Sequence, residues 1–192
     1  QQNTTGIYNS AVGSKALDAN TSGQFNVAVG YDSLGVNQTG SYNTAVGTYS
    51  LDANTGSQNT GVGYNTLGAN TSGEYNTAMG TNALAANTTS NSNAAFGWNA
   101  LSANTTGVSN VAVGSRALYL HVSGNSNTAV GTNALDASTS ASANTGIGTA
   151  ALGSTTTGGS NTAVGGSALG SNTTGTENVA VGQSALATSS TA

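Results

Sequence analysis

Cysteine and proline are both absent from the 192 residues, and charged residues make up 4% of the chain, against roughly 25% in an average soluble domain. Without Cys there is no disulfide, no thiolate zinc site and no thiol catalysis, and the compartment must be argued from other features. Only two residues are Lys or Arg, which argues against nucleic acid and anionic membrane surfaces as partners, because no cationic face exists to neutralise phosphates. A net charge of −4 is too small for self-repulsion to hold the chain open. Leu, Ile, Val and Phe number 30 of the 192 residues, so any core must be thin. No apolar run approaches the roughly 20 residues of a membrane span. Neither a basic n-region nor an apolar h-region opens the chain, so Gln1 is expected to follow a cleavage or to lie inside a longer polypeptide.

What fills the chain instead is one repeat. Asn-x-(Ala/Gly)-(apolar)-Gly-x-x-(Ala/Ser/Thr)-Leu recurs eleven times, with its glycine at Gly13, Gly30, Gly47, Gly63, Gly80, Gly97, Gly114, Gly131, Gly148, Gly165 and Gly182. The period is 17, with a single step of 16 just before Asn59. The Asn (Asn9 to Asn178) and the Leu (Leu17 to Leu186) hold the same phase throughout, so residues 1–192 form a single repeat array without a domain boundary.

Within a unit the residues after Asn alternate with period 2, which predicts a short strand. The Leu and the residue two beyond it repeat that alternation and predict a second strand. Helix is disfavoured by the Gly and the Thr/Asn clusters in every unit. Gly at the corner suits a turn with positive φ, and the Asn-Thr-Thr-Gly corner suits side chains that bond nearby backbone. Two strands and two corners bury nothing alone. Stacked at about 4.8 Å per coil they make a parallel β-solenoid, a β-roll of about eleven coils extending about 50 Å. An Asn ladder and an apolar row from Val12 to Val181 then run along the axis. The missing residue is expected in the corner 52–58, since a deletion in a strand would flip every later side chain. The strand residue between Asn and the apolar row, Ala11 to Ala180, never exceeds Ala in size. Either the interior is too thin there, or another chain packs closely against it. The second reading makes Ala28, Ala45, Ala78, Ala112 and Ala129 an oligomer interface, with the Val row inside.

The strings Asn26-Val27-Ala28-Val29-Gly30-Tyr31-Asp32-Ser33 and Asn110-Val111-Ala112-Val113-Gly114-Ser115-Arg116-Ala117 resemble the head repeats of trimeric autotransporter adhesins, the YadA-like head, and also repeat arrays of phage tail-fibre proteins. The resemblance spans the whole chain. It implies a left-handed parallel β-roll, three chains wound about one axis, and an extracellular, cell-surface or virion-surface role in attachment. The period here is longer than that of the adhesin head, so the Thr-rich corner is an addition. Neither the adhesin's membrane anchor nor the fibre's terminal chaperone domain is found in the sequence.

Candidate chemistry is sparse. His121, the one histidine, fills the slot of Asn20, Asn70 and Asn104, and reads as a surface substitution in a degenerate unit. Asp18, Asp52 and Asp136 follow Leu, but Gly or Ala stands there in other units, so no carboxylate row offers itself to calcium. Gly61-Val62-Gly63 and Gly146-Ile147-Gly148 look like dinucleotide fingerprints only superficially, lacking any βαβ context. No cofactor, metal or catalytic residue is expected, and the chain is read as not an enzyme. Asn-x-Ser/Thr sequons at Asn3, Asn20, Asn37, Asn70, Asn87, Asn104 and Asn172 share one corner and are candidate glycosylation sites, or simply good corner chemistry. Tyr8, Phe25, Tyr42 and Tyr75 precede the unit Asn and form an aromatic stripe, read as corner packing or as a stack for sugar rings.

The expected function is therefore a fibrous structural module, the stalk or head of an adhesin or tail fibre, attaching through a repetitive surface. The alternatives are a secreted subunit that polymerises into a filament, with residues 1–6 and 187–192 in equivalent corner positions, and a glycan- or ice-binding solenoid. The expected partner is the chain itself, as a parallel homo-oligomer, a trimer by resemblance, or an end-to-end filament. A cell-surface glycan is a further candidate partner.

Overall fold

The computed structural model describes residues 2–190; the terminal positions 1, 191 and 192, which carry part of the expected end-to-end contact, lie outside the described residues. The chain is a parallel β-solenoid. Its eleven three-residue strands are β1 Ser10–Val12, β2 Val27–Val29, β3 Thr44–Val46, β4 Thr60–Val62, β5 Thr77–Met79, β6 Ala94–Phe96, β7 Val111–Val113, β8 Thr128–Val130, β9 Thr145–Ile147, β10 Thr162–Val164 and β11 Val179–Val181. They form one parallel sheet in chain order, each pairing in strict register with the next coil, as Ala11 pairs with Ala28 and Val12 with Val29.

The second leg of each coil is not a strand. Leu17 N–H still donates to Ser33 C=O of the next coil at 3.1 Å, but Asn20 N–H turns back to Leu17 C=O at 3.3 Å. The cause lies in the backbone. Each coil holds three non-glycine residues at φ of 49–61°: the residue before the unit Asn, the second residue after the unit Gly, and the Leu itself. Such left-handed residues break extended pairing. None of them is Val, Ile or Thr, since β-branched side chains are the worst accommodated there. The unit Leu of each coil from Leu34 to Leu169 is fully buried, worth roughly 1.5–3 kcal/mol apiece, whereas the extra Leu120 is exposed.

The unit glycines are the expected turns, all eleven at φ of 120–138°. They are also pressed together: a methyl on Gly30 would lie 2.6 Å from the carbonyl carbon of Gly47 in the next coil.

The inside and outside of the strand are reversed from expectation. Ala28, Ala45, Ala78, Ala112 and Ala129 are fully buried within their own chain, so they do not form an oligomer interface. The neighbouring Val12, Met79, Val113, Ile147 and Val181 are exposed on the outer face of the sheet. The reason is volume. Leu from the opposite leg, the residue before it, the unit Asn and a second buried polar residue (Asn in most coils; His121, Ser138 and Thr155 in three) already fill the interior, leaving room for one methyl. At Gly61 even that is lost: a methyl there would lie 2.5 Å from Ser50 Oγ and 2.8 Å from Thr66 Oγ1, the two hydroxyl residues that replace Ala in those coils. Ser50 Oγ donates to Gly61 C=O at 2.9 Å instead.

The short unit is absorbed in the expected corner. Val46 still pairs with Val62, and Leu67 stays in the core. The missing residue lies between Asn54 and Gly56: Asn54 Nδ2 donates to Gly56 C=O two residues on, where Asn37 donates to Gly40 three residues on.

Candidate functional site

Two polar columns run through the interior. In the first, the unit Asn joins coils: Asn26 N–H donates to Asn9 Oδ1 at 2.9 Å, and Asn9 Nδ2 donates to Gly23 C=O at 2.8 Å. The same pair of bonds recurs at Asn110, whose N–H donates to Asn93 Oδ1 at 2.9 Å and whose Nδ2 donates to Gly124 C=O at 2.9 Å. The amide puts acceptor and donor on two separate atoms, so it reaches two partners at once; Asp lacks the donor, and Ser carries both functions on one atom set closer to the backbone.

The second column overturns two expectations. Asn20, Asn37, Asn70, Asn87, Asn104 and Asn172, the sequon asparagines, are buried rather than set on an outer corner. Asn87 Nδ2 donates to Asn70 Oδ1 at 2.7 Å and to Ser90 C=O at 3.1 Å. Their amides are thus engaged inside the folded coil and cannot carry a row of glycans; only Asn3 of the seven is exposed. His121 continues this column and is fully buried, not a surface substitution. Its Nε2–H donates to Gly124 C=O at 2.8 Å, which leaves Nδ1 to accept from Ser138 Oγ at 2.9 Å. Burial lowers its pKa below 6.5, against a smaller opposing pull from the Gly124 carbonyl. The ring stands in for an amide, a structural role that the sequence slot alone concealed.

The ionisable groups on the surface form two small sets, Lys15 with Asp32 and Asp52, and Arg116 with Asp136. Lys15 lies 3.6 Å from Asp32 and Arg116 lies 3.5 Å from Asp136. Partial burial raises the pKa of both Asp52 and Asp136 above the ordinary carboxylate value. Among the described residues no group of three His, Asp or Glu is placed to hold a metal ion.

The surface feature that remains is aromatic. All ten aromatic residues lie between Tyr8 and Tyr119 and point away from the core. Three of the four rings before the unit Asn stack: Tyr8 and Phe25 lie 4.8 Å apart and Phe25 and Tyr42 5.0 Å, with nearly parallel rings, while Gln58 separates Tyr75 from them. A second column, which the sequence reading passed over, stands just beyond the unit Gly. Tyr31, Tyr64 and Trp98 occupy it, each about half exposed. Tyr49, one residue further along its own coil, stands edge-on to Tyr31 at 5.6 Å and to Tyr64 at 6.1 Å. The signal in the sequence was an aromatic at the first residue after Gly in alternate units.

No protein-family model, curated protein or solved structure matches the chain. No helix is long and apolar enough to cross a membrane, among the described residues.

Proposed function

We propose that the chain is a rigid structural module displayed outside the cell or on a virion, a stalk or head segment that attaches through its repeated exterior. The observation that carries this reading is the interior. Successive coils are locked together by the same amide and backbone bonds, and most of the buried asparagine amides are spent on that locking. Such a body resists bending and offers one surface many times over.

Self-association is the companion proposal, now on a different face. The outer sheet face carries Val12, Met79, Val113, Ile147 and Val181, all exposed. A continuous apolar strip of this length is unusual on a monomer. Packing it against the same face of parallel copies buries it in register, and a trimer is the number that the adhesin-head resemblance suggests.

Gold-labelled antibodies against the chain, applied to intact producing cells and their shed particles, test the display. Surface labelling is expected. Labelling seen only after the cells are opened would overturn it. Sedimentation of the chain and of a Val113→Asp, Val130→Asp variant tests association: the parent sediments as an oligomer and the variant as a folded monomer, whereas a monomeric parent would refute it.

A further inference from the structure

The column beyond the unit Gly alternates. Reading coil by coil it runs Tyr31, Thr48, Tyr64, Thr81, Trp98, and then Ser115, Thr132, Thr149, Gly166 and Gln183. The strands beside it stay in register throughout, so rings recur at two coil steps of about 4.8 Å, about 9.6 Å apart along the axis.

The fold does not need these rings. The later coils close the same corner with Ser, Thr, Gly or Gln, and the adjoining glycines keep the same turn, Gly97 at φ 138° before Trp98 and Gly131 at φ 136° before Thr132. Trp98 stacks on no other ring among the described residues, and it is 53% exposed. Tyr49, nearly perpendicular to both, packs between Tyr31 and Tyr64 and braces them. An array of rings that the coil does not require, braced by Tyr49 and about half exposed at each of Tyr31, Tyr64 and Trp98, is arranged for something outside the chain.

We infer that Tyr31, Tyr64 and Trp98 form a platform for an extended, neutral β-1,4-linked polysaccharide lying along the solenoid axis. In such a polymer alternate sugars are turned over, so the same C–H face returns once per disaccharide. That repeat is close to two coil steps. Each ring therefore meets an equivalent apolar sugar face, stacking as aromatic rings do on C–H-rich surfaces. The hydroxyls of Thr48 and Thr81 fall opposite the intervening sugars, where they can bond hydroxyl groups. A helical α-linked glucan would leave this line after one ring. Charge selects a neutral polymer as well: of the chain's two cations, Lys15 is already engaged by Asp32 and by the Tyr31 ring at 5.5 Å, and Arg116 by Asp136 and the Tyr119 ring at 4.6 Å. Uronic or sulfated glycans would find no free cation on this column.

The inference deepens the attachment reading by naming the class of polymer held, and it is tested independently of where the chain is displayed. Trp98, the single tryptophan, reports directly. The full chain is titrated with cellohexaose, chitohexaose and maltohexaose while Trp98 emission is followed, and its depletion onto microcrystalline cellulose and chitin is measured. Saturable emission change and depletion with one or both β-linked series, and none with maltohexaose, are expected. Tyr64→Thr and Trp98→Thr, which install the residue of neighbouring coils and so keep the fold, should each weaken binding to the solid polymer about tenfold. Tyr75→Ala, on the other stripe, should leave it unchanged. No binding to either β-linked series, equal binding of maltohexaose, undiminished binding by Trp98→Thr, or loss on Tyr75→Ala would each overturn the inference. So would a Trp98 emission that shifts with protein concentration and ignores glycan, since that places the column inside a contact between copies. Absence of glycan binding would leave surface display standing, and internal labelling of cells would leave the isotherm standing.

Discussion

Asn37 and Asn54 occupy the same buried position in consecutive coils, yet Asn54 Nδ2 donates to Gly56 C=O at 2.8 Å and Asn37 Oδ1 is left without a partner. In the coil below, Asn20 Oδ1 receives Asn37 Nδ2 at 3.2 Å. The missing residue between Asn54 and Gly56 tightens the corner and draws the amide away from its neighbour. An unsatisfied buried acceptor costs about 1–3 kcal/mol. Inserting Ser between Thr55 and Gly56, to match residues 70–73, should restore the bond and stabilise the chain by about 1 kcal/mol. Chemical denaturation of the two forms checks this; an unchanged or lower stability would show that the short corner leaves no deficit.

Leu101 lies in the left-handed region at φ 52° while its side chain is fully buried. Leu101→Ile conserves volume but places a branched Cβ in that conformation, so a loss of about 1–3 kcal/mol is expected. Val113→Ile, on an extended strand and facing outward, should change stability by less than about 0.5 kcal/mol. Thermal unfolding of the pair separates backbone conformation from side-chain size.

The reversal of the strand faces exchanges the effects of two aspartates. Val113→Asp puts a carboxylate on an exposed face and should be tolerated by the coil within about 1 kcal/mol, apart from its effect on association. Asn104→Asp puts a charge at a fully buried site and removes the donors to Gly107 C=O at 3.0 Å and Ser90 Oγ at 3.0 Å. About 3 kcal/mol or more should be lost. Melting curves at neutral pH decide, and equal melting temperatures would contradict the burial pattern.

His121 makes stability depend on pH. Burial lowers its folded-state pKa below the ordinary 6.5, so the unfolded chain binds the proton more readily. The stabilisation is complete above 6.5 and falls away as pH drops below it toward the lowered folded value. His121→Asn, which gives the column its usual residue, should remove that loss. The parent should melt lower at about pH 5 than at about pH 7, and the variant should show a smaller difference. Parallel pH profiles would rule out His121 as the source.

The period of 17, the corner glycines and the unbroken phase of Asn and Leu were enough to specify a stacked parallel solenoid, because a two-corner unit with so little apolar surface can bury it only against copies of itself. The position of the deletion was legible for the same reason, since strands cannot absorb a lost residue and corners can. Alternation along the strand, however, defines two faces without saying which is inside. Ala112 turned inward and Val113 outward because Leu101, Leu118 and the asparagine columns occupy the interior, a volume relation between residues from different legs that no local pattern contains. The same holds for Asn104 and His121, whose polarity suggested an outer corner. Only the stacked coils supply the carbonyls and amides that make their burial affordable. The left-handed Leu is the converse case: its invariance, without a single Ile or Val, was in the sequence from the start, but its meaning depended on a backbone conformation that tertiary stacking imposes.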